Sequence, residues 1–197
     1  HSILAVSEAT GEVKTLAAFS TRAFVVSSPS GAGGMFDITS LVAVPFKERL
    51  LALTHTNEYL LKIYDPAADK VVREFRRAYE RVKGAPLTEA EKQGGLIIDG
   101  KHYTRPEQKF ENDVKNVLSR GDEIWAATST KDKVKGILID VFDSEGVYQD
   151  CFWLKLPEAA LTSVLSPGQC TLDGDFLWVV ERSEDETFAI KKYRVVI

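Results

Sequence analysis

Three stretches of the 197-residue chain repeat one pattern of strands and turns. They are Leu50–Phe75 (LLALTHTNEYLLKIYDPAADKVVREF), Ile124–Trp153 (IWAATSTKDKVKGILIDVFDSEGVYQDCFW) and Leu177–Ile197 (LWVVERSEDETFAIKKYRVVI). Each begins with an apolar strand, passes through a polar turn and enters a second apolar strand. That second strand ends on an aromatic residue with polar company: Ile63-Tyr64-Asp65, Val141-Phe142-Asp143 and Lys192-Tyr193-Arg194. In the first two stretches a short turn then leads into a third strand.

Repetition of strand units is the sequence signature of a β-propeller. The expected fold is therefore all-β, with blades of four antiparallel strands. Ser2–Val6 and Glu12–Phe19 read as a strand pair joined by Glu8-Ala9-Thr10-Gly11, where Gly11 supplies a turn conformation. They are taken as outer strands of a first blade within residues 2–19. A blade over 38–79 places strands at Ser40–Val44, Arg49–Thr54, Leu60–Tyr64 and Val71–Phe75. A blade over 111–156 places them at Val114–Leu118, Glu123–Thr128, Ile137–Phe142 and Val147–Leu154. Residues 157–167 connect onward, with a short helix expected at Pro157–Leu161. An incomplete last blade over 168–197 uses Gln169–Leu172, Phe176–Glu181 and Phe188–Val195. The whole of 1–197 is read as one domain.

Two segments break the rhythm. Ser27–Gly34 (SSPSGAGG) reads as a flexible loop. No Gly-Lys-Ser/Thr follows it, so it is not a phosphate loop. Residues 84–110 read as an insert. Leu96–Ile98 and Lys101–Tyr103 flank Asp99-Gly100, a strong hairpin signal, and Leu87–Lys92 fits one helical turn. Long inserts in compact domains are usually functional or disordered.

The count comes to about three blades, whereas closed propellers use about four to eight. The expectation is a partial or half propeller of a six-bladed type. Either a missing chain portion or a second copy, giving a homodimer, completes the ring.

Composition narrows the partners. A net charge of −4 argues against a nucleic-acid surface, and no apolar run is long enough to span a bilayer. Cys151 and Cys170 read as small buried hydrophobes; a disulfide needs their strands to be neighbours, and their placement on an outer and an inner strand disfavours one. Two cysteines are also too few for a zinc site.

Candidate binding residues lie where strands begin or turn. Glu111-Asn112-Asp113 precedes an inner strand and either faces the ring centre or makes a turn. His55 sits in an inner hairpin turn; His102 and Arg105 belong to the insert. A metal site would need the fold to gather His55, His102 and Asp113, and their spacing gives no support. No metal, cofactor or catalytic residue is assigned, and no Gly-x-Ser-x-Gly elbow occurs. The basic run Arg73, Arg76, Arg77, Arg81 and Lys83 reads as a solvated outer strand. Trp125, Trp178 and Leu51 read as equivalent blade-packing positions, and Phe152-Trp153 as a candidate contact surface.

The segments Lys109–Val114, Glu123–Thr130 and Lys135–Tyr148, with their Phe-Asp-x-x-Gly-x-Tyr piece, resemble the bacterial six-bladed propellers related to the NHL-repeat group. The resemblance is closest over Lys109–Leu154 and covers Ile38–Ile197 in style. It implies an interaction or ligand-binding scaffold, and a periplasmic or secreted location in preference to a cytoplasmic one. The expected function is non-enzymatic binding of a protein, peptide or glycan at one face of the ring, helped by the insert. The alternatives are a propeller-type hydrolase or lyase with a channel metal, and a structural half-propeller completed by self-association.

Overall fold

The computed structural model describes residues 1–6, 9–182 and 186–196. Glu8 of the first expected turn, the polar turn at Ser183, Glu184 and Asp185 of the third repeat, and Ile197 at its end lie outside the described residues.

The fold is all-β, with two short helices. β1 (Ser2–Val6) and β2 (Val13–Ala18) form an antiparallel pair. β3 (Ala23–Ser27) and β4 (Gly33–Asp37) form a second pair. β5 (Val42–Phe46), β6 (Leu50–Thr54), β7 (Leu61–Asp65) and β8 (Lys70–Phe75) make a four-stranded antiparallel meander. Helix α1 (Glu89–Gln93) and the hairpin β9 (Leu96–Ile98) and β10 (Lys101–Tyr103) follow. A second meander joins β11 (Val114–Arg120), β12 (Glu123–Asp132), β13 (Gly136–Phe142) and β14 (Tyr148–Leu154). Helix α2 (Glu158–Val164) leads to a three-stranded meander of β15 (Cys170–Asp173), β16 (Phe176–Arg182) and β17 (Phe188–Arg194).

The large sheets pack face to face, and the pleat decides which side chain serves which interface. On β12, Ile124 and Ala126 face the meander β5–β8, joining Phe46, Ala52, Leu61 and Ile63. Trp125 and Ala127 point the other way, onto Leu177 and Val179 of β16 and Ala160 and Val164 of α2. A sheet covered on both faces needs apolar residues at successive positions, which explains the continuous run Ile124–Ala127. A third interface sets Leu53 and Tyr64 against Ala17, with Ile3 and Phe19 alongside. The first strands of successive sheets are neighbours, β5 beside β11 and β11 beside β15.

The structure changes several expectations. The Ser27–Gly34 loop is the turn of a hairpin. Ser28 N–H donates to Ala32 O at 2.9 Å, and Gly31 takes φ +86°. Gly33 and Gly34 run into β4, and a Cβ on Gly34 would come within 2.5 Å of Leu96 on β9. The missing side chain lets the hairpins β3–β4 and β9–β10 lie together, and Ser30 Oγ links their tips by donating to Asp99 at 2.6 Å.

Leu51 is not equivalent to Trp125. It faces β1–β2, whereas Ala52 takes the position of Trp125, with the register partners Val44 and Ile63 matching Leu118 and Val141. Trp178, opposite Thr171 and Lys192, lies on the outer face of the last sheet under the Lys192 ammonium.

Phe152 and Trp153 separate. Phe152 packs edge-on against Trp125 at 4.9 Å, and the half-exposed Trp153 carries the Lys135 ammonium at 5.5 Å. Finally, the basic run is only partly solvated, because Arg77 and Arg81 are tied to carboxylates of the second meander. Both cysteines are free thiols; Cys151 is exposed on β14 rather than buried, while Cys170 is half-buried and burial raises its thiol to about 11.

Candidate functional site

Residues 76–83 run from β8 to the isolated bridge at Lys83, and their contacts place alternate side chains on one face. Arg77, Tyr79 and Arg81 all use the face turned to the second meander. Arg77 Nε donates to Asp140 Oδ2 at 2.7 Å, and Tyr59 O–H donates to the same oxygen at 2.6 Å. The Arg77 guanidinium also lies 5.6, 5.5 and 5.6 Å from the rings of Tyr59, Tyr79 and Tyr148. Burial, and then the Asp140 carboxylate, push the Tyr59 phenol far above its ordinary value. The Tyr79 hydroxyl meets Thr130 Oγ1 at 2.7 Å and Ser129 Oγ at 3.0 Å. Arg81 Nε donates to Asp113 Oδ1 at 2.9 Å, and its Nη2 to Asn57 O at 2.6 Å.

The insert begins just beyond this lacing and ends beside where it began. Lys83 bridges to Phe110, Gly84 N–H donates to Lys109 O at 3.1 Å, and Glu111 N–H donates to Val82 O at 2.9 Å. A Cβ on Gly84 would fall 1.9 Å from Gln108 O, so this crossing requires glycine. Inside the insert, Thr88 and Glu91 form a capping box at the start of α1. Arg105 Nη2 donates to Glu91 Oε1 at 2.8 Å.

A series of clefts runs past this stem. A central cleft of about 240 Å³ is lined by Ser40, Arg105, Glu111, Asn112 and Lys115. On one side it shares Ile38, Pro106 and Gln108 with a cleft of about 380 Å³ that reaches Arg22, Asn57 and Phe110. On the other side it shares Ala85, Glu111 and Lys115 with a cleft of about 310 Å³ bounded by Ser129, Thr130 and Lys131. Lys131 then borders the largest cleft, about 720 Å³, between the β12–β13 turn and α2.

Three of the six sequence candidates meet in the central cleft. Glu111 Oε2 accepts from Lys115 Nζ at 2.5 Å. Burial pushes its carboxyl up, but Lys115, the Ala85 N–H and Lys131 together outweigh that and hold it below the usual range. Asn112 Nδ2 donates to Ile38 O at 3.2 Å while its Oδ1 is buried without a hydrogen-bond partner. Arg105 is the third.

The other three lie elsewhere. Asp113 is 2% exposed beneath the cleft, and burial raises its carboxyl despite the opposing Arg81. His55 stacks near Phe19 at 5.2 Å with Nδ1 3.0 Å from Ser20 O. His102 Nε2 is 2.9 Å from Gly94 O, within the insert. Among the described residues no three His, Cys, Asp or Glu side chains converge in a metal-binding group.

Sequence reading assigned no role to Tyr59, Tyr79 or Asp140, and took Arg77 and Arg81 as part of a solvated basic run. The one available signal was the two-residue spacing Arg77-Tyr79-Arg81, which marks a single face of an extended segment. It also passed over the lysines around the largest cleft. The arrangement offers a concave, mixed-charge surface with fixed hydrogen-bonding groups. No helix among the described residues is long and apolar enough to cross a membrane. Comparison with protein-family models and with curated proteins finds no match.

Proposed function

We propose that this protein is a non-enzymatic, propeller-type scaffold that binds an extended segment of a protein, peptide or glycan along the clefts beside the insert. One observation carries the reading: successive clefts share lining residues and pass the stem at Glu111 and Lys115. A compact ligand uses one concavity, whereas a chain-like ligand uses a connected series. The scaffold part of the reading rests on the adjacent first strands β5, β11 and β15 and on sheets buried through both faces.

The stem makes the test practical. Replacing residues 84–109 by a two-residue Asn-Gly turn rejoins Lys83 and Phe110, which already pair. Ligands are first selected on the intact protein from peptide-display and glycan-array libraries. The replaced protein is expected to melt cooperatively and to bind those ligands about a hundredfold more weakly. Unchanged affinity in the folded, replaced protein overturns the reading.

A second reading, assembly through the outer sheets, rests on a separate observation. The outer faces of β1–β2 and β15–β17 leave Leu4, Val6, Val13, Phe188 and Ile190 exposed, the last two at 70% and 72%. Sheets with apolar outer faces fit against further sheets.

A further inference from the structure

The largest cleft differs from the other three in chemistry. Its floor is aliphatic, from Ile137, Leu156, Leu161 and Leu165, and Val134 stands above it 71% exposed. Its rim carries Lys131, Lys133 and Lys155. Neither Lys133 nor Lys155 has a carboxylate within ion-pair distance among the described residues, and Lys131 shares its field with Glu111. Asp132 and Glu158 offset two of the three lysine charges, so the lining carries one net positive charge. Asp132 Oδ1 is occupied by the backbone N–H groups of Val134 and Lys135, at 2.8 Å each, and Glu158 sits in the first turn of α2.

The walls are held in place. Gly136 has φ +101°, and a Cβ there would lie 2.0 Å from Leu154 O, so the β12–β13 turn is pressed against the end of β14. Lys135 is anchored over Trp153. Ala160 and Val164 bury the opposite side of α2 in the core.

We propose that this cleft is the anchoring pocket for an acidic peptide segment with aliphatic side chains, the aliphatic groups entering the floor and the carboxylates meeting the lysines. The proposal rests on the extended-ligand reading and selects peptide over glycan. An aliphatic floor gains from burying leucine-like side chains, and among its lining residues there is no aromatic ring on which a sugar could stack. A lining with three lysines against two carboxylates, net positive on a chain of net charge −4, favours an anionic partner by complementarity.

Fluorescence anisotropy with a labelled peptide alternating glutamate and leucine tests it. Control probes replace glutamate by glutamine, replace leucine by serine, or use an acidic uronate oligosaccharide. The glutamate–leucine peptide is expected to bind saturably, and every control at least about tenfold more weakly. Lys133→Glu combined with Lys155→Glu, and separately Val134→Asp, each lower its affinity about tenfold. All three positions are on the surface, and thermal melting confirms that the variants fold.

Absence of binding, equal binding of the glutamine peptide or the uronate, or variants that bind unchanged overturns the proposal. The protein with the insert replaced separates it from the reading beneath it. Peptide binding that survives insert replacement but not the lysine reversals upholds this pocket against the insert-face reading. Binding lost with the insert and untouched by the lysine reversals overturns this pocket and leaves that reading standing.

Discussion

Arg77 reaches a carboxylate 63 residues away in sequence, and the distance matters energetically. Asp140 is 0% exposed, and one of its oxygens has no hydrogen-bond partner. Its charge is therefore tolerated mainly through Arg77 and the Tyr59 hydroxyl. Removing one member of such a pair strands the other in a poor solvent. Arg77→Ala is expected to lower stability by about 3 kcal/mol in guanidinium unfolding. Replacing both partners by apolar residues, Arg77→Met with Asp140→Leu, should recover much of that loss, because no stranded charge remains. A single-site cost below about 1 kcal/mol would show that water reaches Asp140.

None of this pairing was legible in the sequence. The residues that meet lie on different sheets, and a local pattern carries no record of a partner so far along the chain. The three cleft-lining candidates Glu111, Asn112 and Arg105 were found from their turn-like setting and from the insert. Their neighbour Asp113 was grouped with them, yet the start of β11 directs it to Arg81 beneath the cleft.

Strands and hairpins were more legible, because their signals are local. Apolar runs punctuated by Asp-Gly, Asp-Ser-Glu-Gly and Asp-Pro pieces located both four-stranded meanders and the separate short pair β9 and β10. Two local signals misled. Gly33 and Gly34 disguised β4, since glycine weakens strand patterning even where close packing demands it. Aligning repeats on their large residues paired Leu51 with Trp125, although a one-residue offset reverses which face a side chain uses. In a sheet buried on both sides either register looks apolar, so hydropathy alone cannot choose. At the turn between β12 and β13 one glycine carries the geometry. Gly136→Ala places a Cβ against Leu154 O at a positive φ, and the backbone must shift. The expected cost is about 2 kcal/mol by chemical denaturation, with faster amide exchange at Asp132 and Ile137. Unaltered stability would mean that the turn is not held against β14.

Across the whole molecule, sheets succeed one another face to face, and each inner interface is sealed by residues from both neighbours. The outermost faces are another matter. Phe188 and Ile190 on β17, and Leu4, Val6 and Val13 on β1–β2, lie open to solvent. If they meet those of a second copy, light scattering should give a concentration-dependent mass approaching twice that of the chain. Phe188→Glu with Ile190→Glu should restore the single-chain mass. A sharp monomer at high concentration would sink self-pairing.

The joined stem at Lys83 and Phe110 has a further consequence, for how such a protein can change over time. Because the ends of the insert are already neighbours, lengthening it adds only loop-closure entropy, about 0.6 kcal/mol for each doubling. Away from Gly84 and the contact of Leu96 with Gly34, changes in length and sequence within the insert can accumulate with little penalty to the sheets that support it. If the insert contributes to binding as proposed, recognition is uncoupled from foldedness, and relatives of this chain should keep their strands while differing most in that segment.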